Sequence, residues 1–172
     1  MKKGYVHVYT GNGKGKTTAA MGLAMRAAGA GFKVLIGQFV KGMDYSELHS
    51  FAKFSDQITL KQFGRRCFIN KGPEAVDVLV ARQGLEEVRH AVASGNYQLV
   101  IMDEANIATH YKLFSVEELL EIINTKPNNV ELVITGRYAD DRIMERADLV
   151  TEMREVKHYY TQGVTARVGI EK

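Results

Sequence analysis

The chain has 172 residues, 45% hydrophobic and 25% charged, with a formal net charge of +3 at pH 7. These are the proportions of an ordinary soluble globular protein, expected to form one domain over residues 1–172 with a full core, since a chain of roughly 150 residues removes about two-thirds of its unfolded surface from water. The basic residues are spread out, with no dense basic run or aromatic RNA-binding motif, which argues against nucleic acid; a mild positive charge suits a polyphosphate ligand.

Cys67 is the only cysteine, so no intrachain disulfide forms, in keeping with a reducing compartment. No apolar segment resembles a signal peptide, and no run approaches the roughly 20 residues of a membrane span. The first strand begins almost at Met1, and the expectation is a cytoplasmic protein without a membrane partner.

In chain order, an extended run Tyr5-Val6-His7-Val8-Tyr9 leads into Thr10-Gly11-Asn12-Gly13-Lys14-Gly15-Lys16-Thr17-Thr18, and a helix-like run follows from Ala19 to Ala30. Lys33 to Val40 is a mostly apolar run suited to a buried parallel strand. Ser46 to Phe54 is a short helix candidate and Ile58 to Phe63 a third strand. Gly64 to Gly72 is a basic, glycine-flanked loop. Pro73 opens a helix in which Ala81, Leu85, Val88 and Val92 keep helical spacing, and Gly95 ends it. Leu99-Val100-Ile101-Met102 is a fourth strand ending in Asp103-Glu104. Ser115 and Glu118 make a capping box ahead of the apolar face Val116, Leu119, Leu120 and Ile123. Val130 to Thr135 is a fifth strand, Asp140 to Ala147 a short helix and Leu149 to Glu155 a sixth strand; the segment from Tyr159 to Lys172 has no clear assignment. This alternation predicts an α/β protein, a three-layer P-loop NTPase of RecA-like type with a mostly parallel central sheet.

The loop after the first strand approaches the G-x-x-x-x-G-K-[ST] pattern, with Thr10 where its first glycine would stand. Strand, glycine loop and helix N-terminus make an anion cradle, in which backbone N–H groups and the helix dipole face the phosphates. Lys16 neutralises phosphate oxygens, and Thr17, with Thr18 as a second hydroxyl, reaches a magnesium ion. Asp103-Glu104 ends a buried strand as a second half of that magnesium site, and the spacing leaves open which acid is the closer ligand. Ligands bind at the carboxyl ends of strands in such sheets, so the two segments are expected to meet.

Other residues are less distinctive. Lys41 is a phosphate contact or a solvated loop lysine, and on its own reads as the latter. Arg137 after the fifth strand has the fork geometry for phosphate oxygens, while Arg26 reads as a surface or salt-bridge residue. Phe63, Phe68 and Ile69 around Gly64-Arg65-Arg66 are either a cover for a flat ligand or, more often, satellite core. The five histidines show no zinc-ligand spacing.

Taken together and in order, Gly11 to Ala20, Gln38-Phe39-Val40-Lys41-Gly42, Asp103-Glu104-Ala105-Asn106, Ile134-Thr135-Gly136-Arg137 and Ala147 to Arg154 resemble the P-loop ATP:corrinoid adenosyltransferases. The tail, with Lys157-His158, Gly163-Val164, Ala166 and Gly169-Ile170-Glu171, is similar too. The resemblance implies that a reduced Co(I) corrinoid attacks the 5′ carbon of ATP and that the whole triphosphate leaves, with ATP lying in the loop in the reversed sense. It implies ATP contacts at Gly11, Asn12, Gly13, Lys14, Gly15, Lys16, Thr17, Thr18, Arg26, Lys41 and Arg137, and catalytic roles for Lys16 and Glu104. Magnesium then lies by Thr17, Glu104 and Asp103, and Phe68 displaces the corrinoid's lower axial ligand. It also implies a homodimer and a reductase or reduced flavin as electron donor. Met43-Asp44-Tyr45-Ser46-Glu47 departs from the family, which usually has glycine before that glutamate. Two other classes compete: a RecA-like kinase or ATPase that releases ADP, and a non-catalytic ATP-dependent corrinoid carrier.

Overall fold

The computed structural model describes residues 1–66 and 72–172. Six strands, β1 Val6–Thr10, β2 Val34–Phe39, β3 Ile58–Phe63, β4 Leu99–Asp103, β5 Glu131–Thr135 and β6 Leu149–Glu152, form one sheet in the order β3-β2-β4-β5-β1-β6. Every pairing is parallel. The helices are α1 Lys16–Gly29, α2 Ser46–Ala52, α3 Ala75–Ser94, α4 Ala105–His110, α5 Val116–Thr125 and α6 Asp141–Arg146, and Tyr159–Gln162 is a 3-10 turn.

The alternation of side chains along a strand divides the apolar runs between two cores. Leu35, Val100, Met102, Leu132 and Ile134 join Ala81, Leu85, Val88 and Val92 of α3 on one face. Val34, Ile36, Leu99, Ile101 and Val133 meet the alanine-rich face of α1 (Ala20, Ala24, Ala27, Ala28) and Phe51 of α2 on the other. Both faces are covered, which explains why the middle strands read as continuous apolar runs. Small alanines let α1 lie close over β4 and β5, directly behind its own N-terminal loop.

Three local details differ from the sequence expectation. Helix α1 begins at Lys16, before the alanine run, because Gly15 at φ 120° turns the loop into it. Pro73 lies ahead of α3 instead of opening it: Glu74 is the N-cap, and Glu74 and Asp77 satisfy each other's backbone N–H groups. Arg65 forks onto Asp77 at 2.6 and 2.8 Å and reaches Glu74 at 3.1 Å, which holds the Asp77 carboxyl below its usual range. Half of the basic pair in the loop is thereby spent on this helix start. Helix α4 had no counterpart in the sequence reading, since six residues give too few turns for a 3.6-residue period to show.

Helix α3 can approach β3 only through a glycine. A Cβ on Gly84 would stand 2.2 Å from Cγ of Phe63. Gly84→Ala gains up to about 1 kcal/mol in helix propensity, while overpacking costs about 1–3 kcal/mol. The clash is against the Cβ and ring root of a buried Phe63, which cannot swing aside as a flexible chain end would, so it wins. A lower urea midpoint is expected, and an unchanged or raised midpoint would show that Phe63 yields freely.

Candidate active site

All strands being parallel, the loops after β1, β2, β4 and β5 open on one rim of the sheet. There they line a cleft of about 910 Å³ together with the N-terminal part of α2 and the tail. Gly13 to Thr18, Lys41, Glu104 and Arg137 are all on its walls.

The loop is shaped by the segment after β6 as well as by its own glycines. Gly13 N–H donates to the Met153 carbonyl at 2.6 Å, and Met153 N–H donates to the Thr10 carbonyl at 2.9 Å. A Cβ on Gly11 or Gly13 would lie 2.5 or 2.7 Å from the Met153 carbonyl oxygen. Gly11, at φ 90°, also needs the left-handed region that glycine alone enters without cost. These two glycines thus answer to the backbone just after a neighbouring strand.

Lys16, buried, donates to the carbonyls of Gly11 (2.7 Å) and Gly13 (2.8 Å), so its ammonium lies along the inside of the loop. Burial lowers its pKa, with Glu104 and Asp103 opposing and Arg137 assisting. Thr17 Oγ1 donates to Asp103 Oδ1 at 2.8 Å, which joins the first turn of α1 to the end of β4. Thr135, at the end of β5, donates to the same oxygen at 2.7 Å. Asp103 Oδ2 accepts from Lys41 Nζ at 2.8 Å and Gln38 Nε2 at 3.3 Å.

With both oxygens doubly bonded and no exposure, Asp103 is the hub of the site, occupied by protein donors. Glu104 is the acid on the cleft wall. Its backbone adopts φ 60°, an unusual conformation for a glutamate, held by the N–H of Glu104 donating to Thr135 Oγ1 at 3.0 Å. Burial and then the Asp103 charge push its pKa up, against Lys41, Lys16 and Arg137.

Lys41 is not the solvated loop lysine that its isolated reading favoured. Burial draws its pKa down, but Asp103, Glu104 and Glu47 outweigh that and hold it above the ordinary value. Arg137 is exposed and reaches the Asn12 carbonyl at 3.3 Å. Lys14 reaches the Ile170 carbonyl at 3.0 Å, and Thr18 is exposed on the cleft wall. Gly11, Asn12 and Arg26 are not on the cleft wall, and Arg26 is an exposed residue of α1. Phe68 lies outside the described residues.

Sequence reasoning missed Gln38 and Thr135, whose polarity inside otherwise apolar strand ends was the available signal. It also missed Glu47, which lines the cleft and accepts from Gln38 at 3.1 Å. The unassigned tail supplies His158, Ala166 and residues 169–172 to the same wall.

A glycine loop between β1 and α1, a lysine and threonine at the helix start, and an acid pair at the end of β4 define a P-loop nucleotide-binding protein. The family model described as "ATP:corrinoid adenosyltransferase BtuR/CobO/CobP" matches residues 2–171. A "Corrinoid adenosyltransferase" of Escherichia coli (strain K12) is 34% identical over 178 residues, covering 99% of this chain and 86% of that protein. Another, of Pseudomonas aeruginosa, is 33% identical over 171 residues, covering 99% and 84%. "Corrinoid adenosyltransferase CobA" of Salmonella typhimurium is 34% identical over 176 residues, covering 99% and 86%. The chain belongs to the ATP:corrinoid adenosyltransferase family and is a transferase that uses ATP to adenosylate a corrinoid. That membership displaces the kinase, ATPase and carrier readings.

Proposed function

We propose that the cleft holds the triphosphate of ATP on residues 13–18 and presents the 5′ carbon to a Co(I) corrinoid at its open side, in cobalamin biosynthesis or salvage. The observation that carries this reading is the meeting of Thr17 with Asp103 at 2.8 Å, which sets a hydroxyl, a buried hub and the cleft-facing Glu104 beside the loop lysine. The cobalt electron pair forms the bond to C5′, the C5′–O bond breaks, and its pair leaves with the triphosphate. No proton moves, so no general base is needed.

What the chain must supply is charge complementarity to the leaving group and a fixed line of attack. Lys16 exchanges its two carbonyl acceptors for phosphate oxygens. Arg137 and Lys14 add positive charge at the mouth. Lys41 stays on Asp103 and keeps the hub neutral, so that the hub does not repel the triphosphate.

The donor set fits magnesium. Among the described residues no group of three His, Cys, Asp or Glu side chains could hold a metal. A hydroxyl and one carboxylate, completed by phosphate oxygens and water, is how Mg²⁺ is commonly held. Thr17 and Glu104 would bind it, and Asp103, already saturated, would orient Thr17 from behind. When bound, the ion supplies further neutralisation of the departing triphosphate.

The protein acts as one domain and, in this reading, as a cytoplasmic homodimer served by a separate reductase or reduced flavin. No helix among the described residues is long and apolar enough to cross a membrane.

The direct test is incubation with ATP, Mg²⁺ and chemically reduced cobalamin. The cobalt–carbon absorbance and intact triphosphate should appear in equal amounts; ADP formed at a comparable rate without corrinoid would refute the reading. Glu104→Gln gives a second test, because stability and activity should part company. The raised Glu104 value means the folded chain holds more protons than the unfolded one through that window, so stability falls as pH rises through it. The amide removes this cost. Adenosylation should drop about 10²-fold, the scale of losing one charge-stabilising group, while the melting temperature at neutral pH stays level or rises. A joint fall of both would make Glu104 a structural acid.

A further inference from the structure

The mechanism above leaves unused a histidine on the cleft wall. His158 belongs to the tail that follows β6, is half-buried, and lines the same cleft as Gly13, Lys14 and Arg137. Its chain neighbours are tied down on both sides. Upstream, Met153 is bonded to Thr10 and Gly13 of the loop. Downstream, Tyr159 bonds Glu171, Arg167 lies over the Tyr159 ring at 4.9 Å, and Lys14 holds the Ile170 carbonyl at 3.0 Å.

The ring itself is oriented by a backbone contact. His158 is the N-cap of the 3-10 turn Tyr159–Gln162, and its Nδ1 accepts from the Tyr160 N–H at 3.0 Å. A nitrogen that accepts carries no proton, so in the neutral ring the hydrogen sits on Nε2. The cap thereby puts the ring's one proton on Nε2, the nitrogen not engaged by the turn, in a residue that lines the cleft. The cleft's nearby ligands are phosphate oxygens in the proposed reading, and a neutral donor at this place adds a hydrogen bond without adding charge.

We propose that His158 binds the triphosphate, donating its Nε2 proton to a phosphate oxygen; this rests on the assignment of the cleft to ATP. The tail is then part of the anion site.

The two ring nitrogens can be separated by substitution. Asparagine keeps an acceptor near the Nδ1 position and is a good cap, but it reaches no further. Glutamine places an amide N–H near the Nε2 position. Binding of inorganic tripolyphosphate, measured by calorimetry without corrinoid, should weaken about 10- to 100-fold in His158→Ala and His158→Asn, the worth of one hydrogen bond to a charged acceptor. His158→Gln should recover most of it. The KM for ATP should follow the same order, with the KM for corrinoid unmoved.

The opposite order, with asparagine near wild type and glutamine as poor as alanine, would mean that His158 only caps the turn and would overturn the proposal. Unchanged tripolyphosphate affinity in all three variants would overturn it as well. Wild-type protein that binds tripolyphosphate but never adenosylates cobalamin would instead refute the proposed function and leave the His158 result readable.

Discussion

Asp103→Asn is expected to destabilise the protein by about 3–5 kcal/mol, the usual consequence of removing one partner of a buried ion pair. The carboxylate has no exposure and answers four donors, of which Lys41 is charged and partly buried. An amide at this place turns one of its two acceptor atoms into a donor, against Lys41 and Gln38 on one side or Thr17 and Thr135 on the other. Urea unfolding measures the loss, and a change below 1 kcal/mol would show that the hub is dispensable. Adding Lys41→Met should return part of the stability, because the stranded cation is then gone. The pH dependence has a definite sign. Lys41's folded value lies above its ordinary 10.5, so its contribution is present below that pH and fades as pH rises through the raised value. Wild type should show this alkaline loss, and Asp103→Asn should not.

Lys16→Ala should lower kcat/KM for ATP by at least 10²–10³-fold, the effect of removing one preorganised group from developing charge, with little change in unfolding midpoint. Its two hydrogen bonds go to loop carbonyls, and burial already disfavours its charge, so the fold gains little from it. In the proposed reading the leaving triphosphate gains much more. Rates of cobalt–carbon bond formation and triphosphate release should fall together. Full activity would remove the loop from the reaction.

The fold was largely legible because its signals were long or periodic. The mostly apolar run at 33–40, the run at 99–102, the spacing of Ala81, Leu85, Val88 and Val92, and the Ser115–Glu118 box each correspond to an observed element, the first shortened by one residue at either end to Val34–Phe39. Helix α4 was too short to show a period. Pro73 was placed wrongly because Glu74 and Asp77 cap the helix one residue later, an acid pair outside the usual Ser/Thr–Glu box.

For the site, the loop and the acid pair were visible as motifs. The division of labour between the two acids was not, since adjacent residues in sequence differ only in which way the chain turns. Asp103 ends a strand and points into four donors, while Glu104 is bent to φ 60° and faces the cleft. Lys41 looked ordinary because its partner is 62 residues away in the chain. The tail stayed unassigned because polar latches and single turns hold it, not a buried face.

The carbonyl of Met153 that receives the Gly13 N–H has a bearing on how the protein comes into being. Forming β1 and α1 does not complete the loop, because its backbone is bonded to Met153 as well. Here its final shape waits for the last strand to dock at the sheet edge beside β1. Chains emerge N-terminus first, and β6 follows the loop in the chain, so the loop is made before the segment that bonds to it. The nine-residue motif is therefore not a portable cassette: grafted elsewhere, it would arrive without the Met153 backbone that caps it.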